Sequence, residues 1–184
     1  ADTLDLTLIL HAEHGGGNNS SLTVHVISSA DTDVYSAVAG AVGSLKGYRH
    51  GGASIKVIEM MDEIKKNVKE WSNETEVKDY LRKIIQKKAG NGTGLIYGQG
   101  HAVYTVSDPR AILLRDKAGL LAIDKGCVEE FDLYRTIEKL APEVFYEEKG
   151  TAKTICSNVD FYSGFVYSML GIPRELFTPL FAVA

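Results

Sequence analysis

The stretch that decides the fold class is Ile55–Trp71, with the sequence IKVIEMMDEIKKNVKEW. Large apolar residues recur in it every three or four positions, and Lys and Glu occupy much of the remainder. The recurring residues are Ile55, Ile58, Met61, Ile64, Val68 and Trp71. This spacing gathers the apolar side chains on one side of an α-helix and leaves a charged side for solvent. The stretch therefore predicts an amphipathic helix packed against a core.

Helix signals continue on both sides of this stretch. Asn73 and Glu76 have the spacing of a capping box, which predicts a helix near 74–89. Asp108 followed by Pro109 is typical of an N-cap and the first helical position. Further helices are predicted near 3–13, 20–30, 32–46 (with Asp31 as its N-cap), 128–140 and 155–170. Because alternating strand patterns are rare, the sequence predicts an all-α fold.

The composition excludes several classes of protein. The chain has 184 residues, of which 45% are hydrophobic and 24% charged, with a formal net charge of -4. Such a chain is long enough to bury a core and is neither disordered nor collagen-like. Its mild acidity argues against nucleic-acid binding, and its apolar runs are too short and too interrupted to cross a membrane. Two cysteines cannot form a disulfide framework, which indicates a cytoplasmic protein.

Charge is distributed unevenly along the chain. Residues 1–50 contain only Lys46 and Arg49 as basic side chains, whereas residues 56–88 are densely charged. The 32–46 segment is also rich in Ala and Gly, which allow helices to approach closely. We therefore expect residues 1–50 to belong to the packed interior of a larger body, with that helix in a crowded core. The middle of the chain, 52–170, is expected to be a more solvated lobe, and 171–184 turns apolar again.

Histidines beside glycines are the first candidates for a site. Of five histidines, His14, His50 and His101 each adjoin a glycine, which lets backbone and ligand approach closely. A single histidine is more often a core or surface residue, so three such positions favour a site only in combination. His11 and His14 are three residues apart, whereas the common zinc motif places two histidines four apart. No metal site is therefore predicted.

Two charged residues at predicted helix starts are further candidates. Arg110 follows Asp108-Pro109, where a guanidinium repels the positive end of the helix dipole. A bound carboxylate or phosphate would explain an arginine at this position, although pairing with a surface acid is the commoner arrangement. Asp160 opens a strongly apolar helix, where it is either a capping carboxylate or a base whose pKa is open to tuning by burial.

Three segments together resemble the citrate synthase family. They are His50-Gly51-Gly52-Ala53, the stretch from Gly98-Gln99-Gly100-His101 to Asp108-Pro109-Arg110, and Asn158-Val159-Asp160-Phe161-Tyr162-Ser163-Gly164. They occur in the family's order and at its approximate spacing, and similarity at 10–14 and 171–182 extends the resemblance over nearly the whole chain. It implies a citrate synthase-like multi-helical fold. In that fold, 52–170 is the small domain, and 1–51 and 171–184 are parts of the large domain.

The resemblance implies roles for individual residues. His50 is similar to the histidine that hydrogen-bonds the acetyl-CoA thioester oxygen, and Asp160 to the base that removes the methyl proton. His101 is similar to the histidine that polarises the oxaloacetate carbonyl. His14 and Arg110 are similar to residues that hold oxaloacetate.

The same resemblance implies the ligands and partners. Leu95, Gly98, Gln99 and Gly100 match a loop whose backbone meets the CoA adenine. Thr105 stands where many members carry a basic residue that helps to hold CoA phosphates. Acetyl-CoA and oxaloacetate are the implied substrates, without a metal or cofactor. A homodimer is implied for the full-length enzyme, with neither nucleic acid nor membrane as a partner.

The implied reaction is a Claisen-type condensation followed by hydrolysis of citryl-CoA. Two alternatives remain within the family, a 2-methylcitrate synthase that uses propionyl-CoA and a citryl-CoA lyase. A third is a non-catalytic helical interaction module. The family has a long N-terminal part and an oxaloacetate-binding Arg just beyond the position of Ala184. We therefore expect the chain to be a fragment that folds but is inactive alone.

Overall fold

The structure is a computed structural model that describes residues 1–12, 16–47, 49–101, 104, 106–150 and 155–184. Helices make up its regular structure, and the one β-type pairing among these residues is an isolated bridge between Gln99 and Ser157. The helices are α1 (Asp2–Ala12), α2 (Asn19–Ser28), α3 (Val34–Leu45), α4 (Ala53–Asn67), α5 (Glu74–Ile85), α6 (Pro109–Lys125), α7 (Val128–Lys149), α8 (Val159–Met169) and α9 (Phe177–Val183), with a 3₁₀ turn at Arg174–Leu176. The prediction of an all-α fold is confirmed.

Helix caps explain where several helices begin. Asp108 and Asn158 cap α6 and α8 by accepting hydrogen bonds from Arg110 N and Asp160 N. Asn73 Oδ1 accepts from Glu76 N at the start of α5, as the capping box predicts. The Glu76 carboxylate, however, accepts from the backbone of residues 69 and 70 instead of reaching back to Asn73. The predicted start of α5 is therefore correct, but only one of the two hydrogen bonds of a capping box is formed.

The core lies mainly between α4, α5, α6, α7 and α8. Its fully buried side chains include Val57, Met61, Ile64, Val77, Leu81, Leu114, Ile137, Val144 and Phe165. Of the amphipathic stripe predicted for 55–71, the part from Met61 onward faces this core, whereas Ile55 and Ile58 pack in a second cluster with Tyr167 and Phe177. Helix α4 ends at Asn67. Helices α4 and α8 pack closely because Gly164 has no side chain. A Cβ there would lie 3.0 Å from the Ser54 carbonyl oxygen.

Three expectations about helices were wrong. Asp33, not Asp31, caps α3, because Asp33 is extended and accepts from Ser36 N, whereas Asp31 has a left-handed φ of 59° in the preceding turn. Helix α7 continues through Pro142 to Lys149 instead of ending near 140. Helix α8 starts only at Val159, because the preceding residues pair with the 98–100 loop.

The setting of α3 differs from the expected crowded core. Only Ala37 and Leu45 are buried in it, and Tyr35 is 83% exposed. The close helix approach is nevertheless present, since a Cβ on Gly40 would lie 2.3 Å from Ile27 of α2. Helices α2 and α3 thus form a tight hairpin whose outer face is uncovered in this chain. The division into 1–51, 52–170 and 171–184 stays a prediction.

Candidate active site

One cavity of about 310 Å³ gathers most of the predicted site residues. His50, His101, Arg110 and Asp160 all line it, although they come from four separate parts of the sequence. The first turns of α2, α4, α6 and α8 all contribute lining residues, so the cavity lies at the positive ends of several helix dipoles. Gly100, Asn158 and Phe181 complete part of the wall. This arrangement suits a small anionic ligand.

Asp160 lies in the first turn of α8. Its Oδ1 atom is buried and has no hydrogen-bond partner among the described residues. Burial raises the pKa of Asp160 to about 7, and Asp108 adds to the rise while Arg110 opposes it. A carboxyl with this pKa is partly ionised at neutral pH and can still accept a proton. Of the two readings of Asp160, desolvated base and simple helix cap, the geometry favours the base, since Asn158 does the capping.

His50 is held by Ser20 at the start of α2. The Ser20 backbone N–H donates to His50 Nε2 at 3.3 Å, and the Ser20 hydroxyl lies 2.8 Å from the same nitrogen. The Ser20 hydroxyl also donates to Asn18 Oδ1 at 2.8 Å. The start of α2 thus holds the Nε2 edge of the His50 ring at the wall of the cavity.

Arg110 is paired with Asp108 in a buried ion pair. Its Nε and Nη2 atoms donate to the two carboxylate oxygens of Asp108 at 3.0 and 2.8 Å. Arg110 is 6% exposed and Asp108 is 1% exposed. Asp108 Oδ2 also accepts from Val159 N, the first residue of α8. Asp108 therefore joins the starts of α6 and α8, and the surface pairing that we considered for Arg110 is replaced by a buried one.

His101 lies beside this ion pair. The backbone N–H of Tyr104 donates to its Nδ1 at 3.2 Å. Its Nε2 atom lies 3.4 Å from Arg110 Nη2. The imidazole and the guanidinium are therefore side by side at one wall of the cavity. Such a pair is suited to the oxygen of a carbonyl or carboxylate that accepts from both.

The structure places the predicted CoA-binding residues at two different cavities. Gly98 O accepts from Asn158 N, and Gly100 N donates to Cys156 O, so this segment is fastened to the start of α8. Gly98 has φ +77°, and a Cβ there would lie 2.7 Å from the Phe161 ring. Gln99 bonds Ser157 through its side chain. Gly100 lines the site cavity, whereas Leu95 lines a separate cavity of about 490 Å³.

His14, the other predicted oxaloacetate ligand, lies outside the described residues. Several residues that sequence reasoning missed contribute to the site. Ser20 orients His50, and Asp108, predicted only as a helix cap, fixes Arg110. Phe181 lies 6.2 Å from the His50 ring, measured between centroids. Of these residues, only Asp108 could have been predicted from sequence, because an acidic side chain two residues before an arginine can pair with it.

Neither a metal site nor a membrane-spanning helix is found in the described part of the chain. No group of three or more His, Cys, Asp or Glu side chains there is arranged to hold a metal ion. None of the described helices has both the length and the hydrophobicity that crossing a membrane requires.

Comparison with known proteins places this arrangement in a family. The family described as "Citrate synthase, C-terminal domain" matches residues 1–184. A citrate synthase from Synechocystis sp. is 42% identical over 184 residues, which are 100% of this chain and 42% of that protein. A 2-methylcitrate synthase from Shewanella oneidensis is 36% identical over 178 residues, covering 97% of this chain and 42% of that protein.

A solved structure agrees with these matches. The citrate synthase of Thermoplasma acidophilum, in ternary complex with carboxymethyl coenzyme A and oxaloacetate, superposes with a TM-score of 0.80 at 29% identity. The match covers 99% of this chain and 44% of that one. The chain thus spans less than half the length of the relatives that it matches. The family match over every residue shows that the chain belongs to the citrate synthase family.

Proposed function

We propose that the full-length protein condenses acetyl-CoA with oxaloacetate and hydrolyses the resulting citryl-CoA to citrate and CoA. The observation that carries this proposal is the single cavity lined by Asp160, His50, His101 and Arg110. Removing a proton next to a thioester carbonyl requires a base and a donor for the oxyanion that develops. Asp160, whose pKa burial raises to about 7, and the imidazole of His50 at the same cavity supply both.

In the first step, Asp160 takes a proton from the acetyl methyl group. The C–H electron pair becomes the enol double bond, and charge develops on the thioester oxygen. The His50 ring, held at the cavity wall by Ser20, donates an N–H to that oxygen in this proposal. The enol is thereby stabilised within the cavity.

In the second step, the enol carbon attacks the carbonyl carbon of oxaloacetate. The carbonyl oxygen accepts a hydrogen bond from the His101 ring and takes up a proton as the carbon–carbon bond forms, which gives the hydroxyl of citryl-CoA. This proton balances the one that Asp160 removed from the methyl group. Arg110 offsets the negative charge of the oxaloacetate carboxylates, and its pairing with Asp108 holds the guanidinium in place. Water then cleaves the thioester, and CoA leaves as the thiol. In this proposal the histidines and Arg110 supply the polarisation, so neither a metal nor a cofactor is required.

The remaining predicted contacts belong to the same proposal. His14 is a further ligand for oxaloacetate. Gly98, Gln99 and Gly100 offer backbone atoms to CoA, and Leu95 offers an apolar side chain that is 46% exposed.

The test is release of CoA thiol by the full-length protein from acetyl-CoA with oxaloacetate. We expect His50→Gln to lower kcat by about 10²–10³-fold, as the loss of one oxyanion donor does. His25→Gln, at an exposed histidine of α2, is the matched control and should keep wild-type kcat. Equal rates for the two variants would contradict the role of His50.

The same assay separates the alternative functions. A faster rate with propionyl-CoA than with acetyl-CoA would identify a 2-methylcitrate synthase. Cleavage of citryl-CoA to acetyl-CoA and oxaloacetate, without condensation, would identify a lyase. No thiol release from any acyl-CoA would favour a non-catalytic helical module.

We further propose that the full-length protein is a homodimer through the α2–α3 hairpin. Tyr35, Val38 and Val42 follow one another at helical spacing on α3 and are 83%, 50% and 46% exposed. Leu22 and Val26 of α2 are also more than half exposed. An apolar face of this extent is typical of a covered interface. Both cysteines are free, which supports a cytoplasmic location.

Light scattering of the full-length protein after gel filtration tests the dimer. Val38→Lys should shift the mass from dimer to monomer, because it places an ammonium group in the centre of the apolar face. Tyr146→Lys, at an exposed residue of α7, should leave the dimer intact. A dimer that survives Val38→Lys at micromolar concentration would exclude this face as the interface.

A further inference from the structure

Three buried polar atoms behind the active site have no hydrogen-bond partner among the described residues. They are His11 Nδ1 on α1, and Asp160 Oδ1 and the Tyr167 hydroxyl on α8. His11 is 7% exposed and Tyr167 is 1% exposed. Buried polar atoms are nearly always hydrogen-bonded, to protein or to an enclosed water. These three therefore require an explanation.

The three residues lie near one another on α1 and α8. Tyr167 lies two helical turns after Asp160, so both side chains are on the same face of α8. Long side chains on a helix lean towards its N-terminus, which directs the Tyr167 hydroxyl towards the turn that holds Asp160. The ring of His11 lies 6.1 Å from the ring of Tyr167, measured between centroids.

The charges around these atoms fix their protonation. Burial, with a contribution from Arg110, lowers the pKa of His11 to about 3, so its ring is neutral. Burial raises the pKa of Tyr167, and the nearby Asp160 raises it further, so the hydroxyl keeps its proton. Asp108 and Arg110 of α6 are the other charged groups that act on Asp160. Tyr167 is thus next to the neutral His11 ring and within electrostatic reach of Asp160.

We propose that Tyr167 and His11 are positioning residues that hold the buried oxygen of Asp160 through one enclosed water. The Tyr167 hydroxyl donates to the water, which donates one hydrogen to His11 Nδ1 and the other to Asp160 Oδ1. Every polar atom in this group is then satisfied. The second carboxylate oxygen of Asp160 is left for the acyl methyl group. The inference rests on the proposed function, since it concerns the orientation of the proposed base.

The test compares two tyrosine substitutions in the full-length protein. Tyr167→Phe removes the donor that orders the water, so the carboxylate form of Asp160 loses stabilisation. We expect the acid limb of the kcat/KM profile to move to higher pH by on the order of one unit. We also expect kcat at pH 7 to fall about tenfold, while KM for oxaloacetate stays within about twofold.

Tyr134→Phe is the matched control. The Tyr134 hydroxyl is also buried without a partner, but the charges that act on it are Glu130, Asp62 and Arg174 rather than Asp160. It should leave the acid limb unchanged. Equal shifts for Tyr167→Phe and Tyr134→Phe, or no shift for either, would overturn the proposal.

His11 provides a second variant in case Tyr167→Phe folds poorly. His11→Asn keeps an acceptor and should retain the wild-type acid limb, whereas His11→Leu should shift it as Tyr167→Phe does. An unshifted limb for His11→Leu would also overturn the proposal. Its failure is separable from that of the proposed function. If only the proposal about Tyr167 and His11 fails, the wild type still releases CoA, and the acid limbs of the variants match that of the wild type.

Discussion

Replacing Asp160 by Asn is expected to lower kcat by about 10³-fold, because proton transfer loses its base. The same change should stabilise the protein at neutral and alkaline pH. The folded-state pKa of Asp160 is about 7, against 3.8 for the ordinary carboxyl, because burial disfavours the charge. The fold therefore holds a proton that the unfolded chain releases between about pH 4 and 7, and wild-type stability falls as pH rises through that window.

The size and pH dependence of this effect identify its cause. A rise of roughly three pKa units corresponds to about 4 kcal/mol, at about 1.4 kcal/mol per unit. Asp160→Asn should gain this amount in the free energy of unfolding above pH 7 and nothing below pH 4. Urea unfolding at pH 4 and at pH 8 measures it. A variant with no gain at pH 8 would mean that the carboxylate is not desolvated. His11 has the opposite slope, because its lowered pKa makes stability rise with pH between about 3 and 6.5.

Replacing Asp108 by Asn is expected to destabilise the protein by about 3–5 kcal/mol, the usual cost of leaving a buried charge unpaired. An amide can still cap α6, but it cannot neutralise Arg110. We also expect KM for oxaloacetate to rise, since the guanidinium is no longer held in its position.

An exposed ion pair supplies the control for Asp108. Asp62 pairs with Arg174 at 2.7 Å, and their side chains are 30% and 49% exposed. Asp62→Asn should cost less than about 1 kcal/mol, as surface ion pairs do. Urea midpoints at pH 7 compare the two variants. Similar losses for both would show that the Asp108–Arg110 pair is not desolvated.

Much of the helical structure follows from local sequence patterns, whereas a common site for His50, His101, Arg110 and Asp160 was implied by the family resemblance. The spacing of Ile55 to Trp71 and the caps at Asn73 and Asp108 predict helices that exist. These signals depend on a few neighbouring residues, so sequence alone reveals them. The continuation of α7 through Pro142 depends on packing against other helices, which overrides a local signal to stop.

The residues that hold the site together were harder to predict. The contact between Ser20 and His50 joins residues 30 apart. Asp108 looks like any helix cap in sequence, although it also binds Arg110 and the start of α8. Exposure of α3 was missed for a different reason. An apolar helix has the same sequence signature whether it is buried in its own chain or uncovered there.

Gly98 and Gly164 allow backbone segments to pack closely at helix α8, so main-chain packing determines part of the site geometry. Gly164 sets the approach of α4, whose start follows His50, and Gly98 sets the approach of the loop that leads to His101. A methyl group at Gly164 would also meet the Ile58 side chain, and one at Gly98 would meet the Phe161 ring. A larger residue at either position would have to displace a neighbour of the helix that carries Asp160. The distances from Asp160 to His50 and His101 therefore depend on two residues that themselves contribute no side chain to the site.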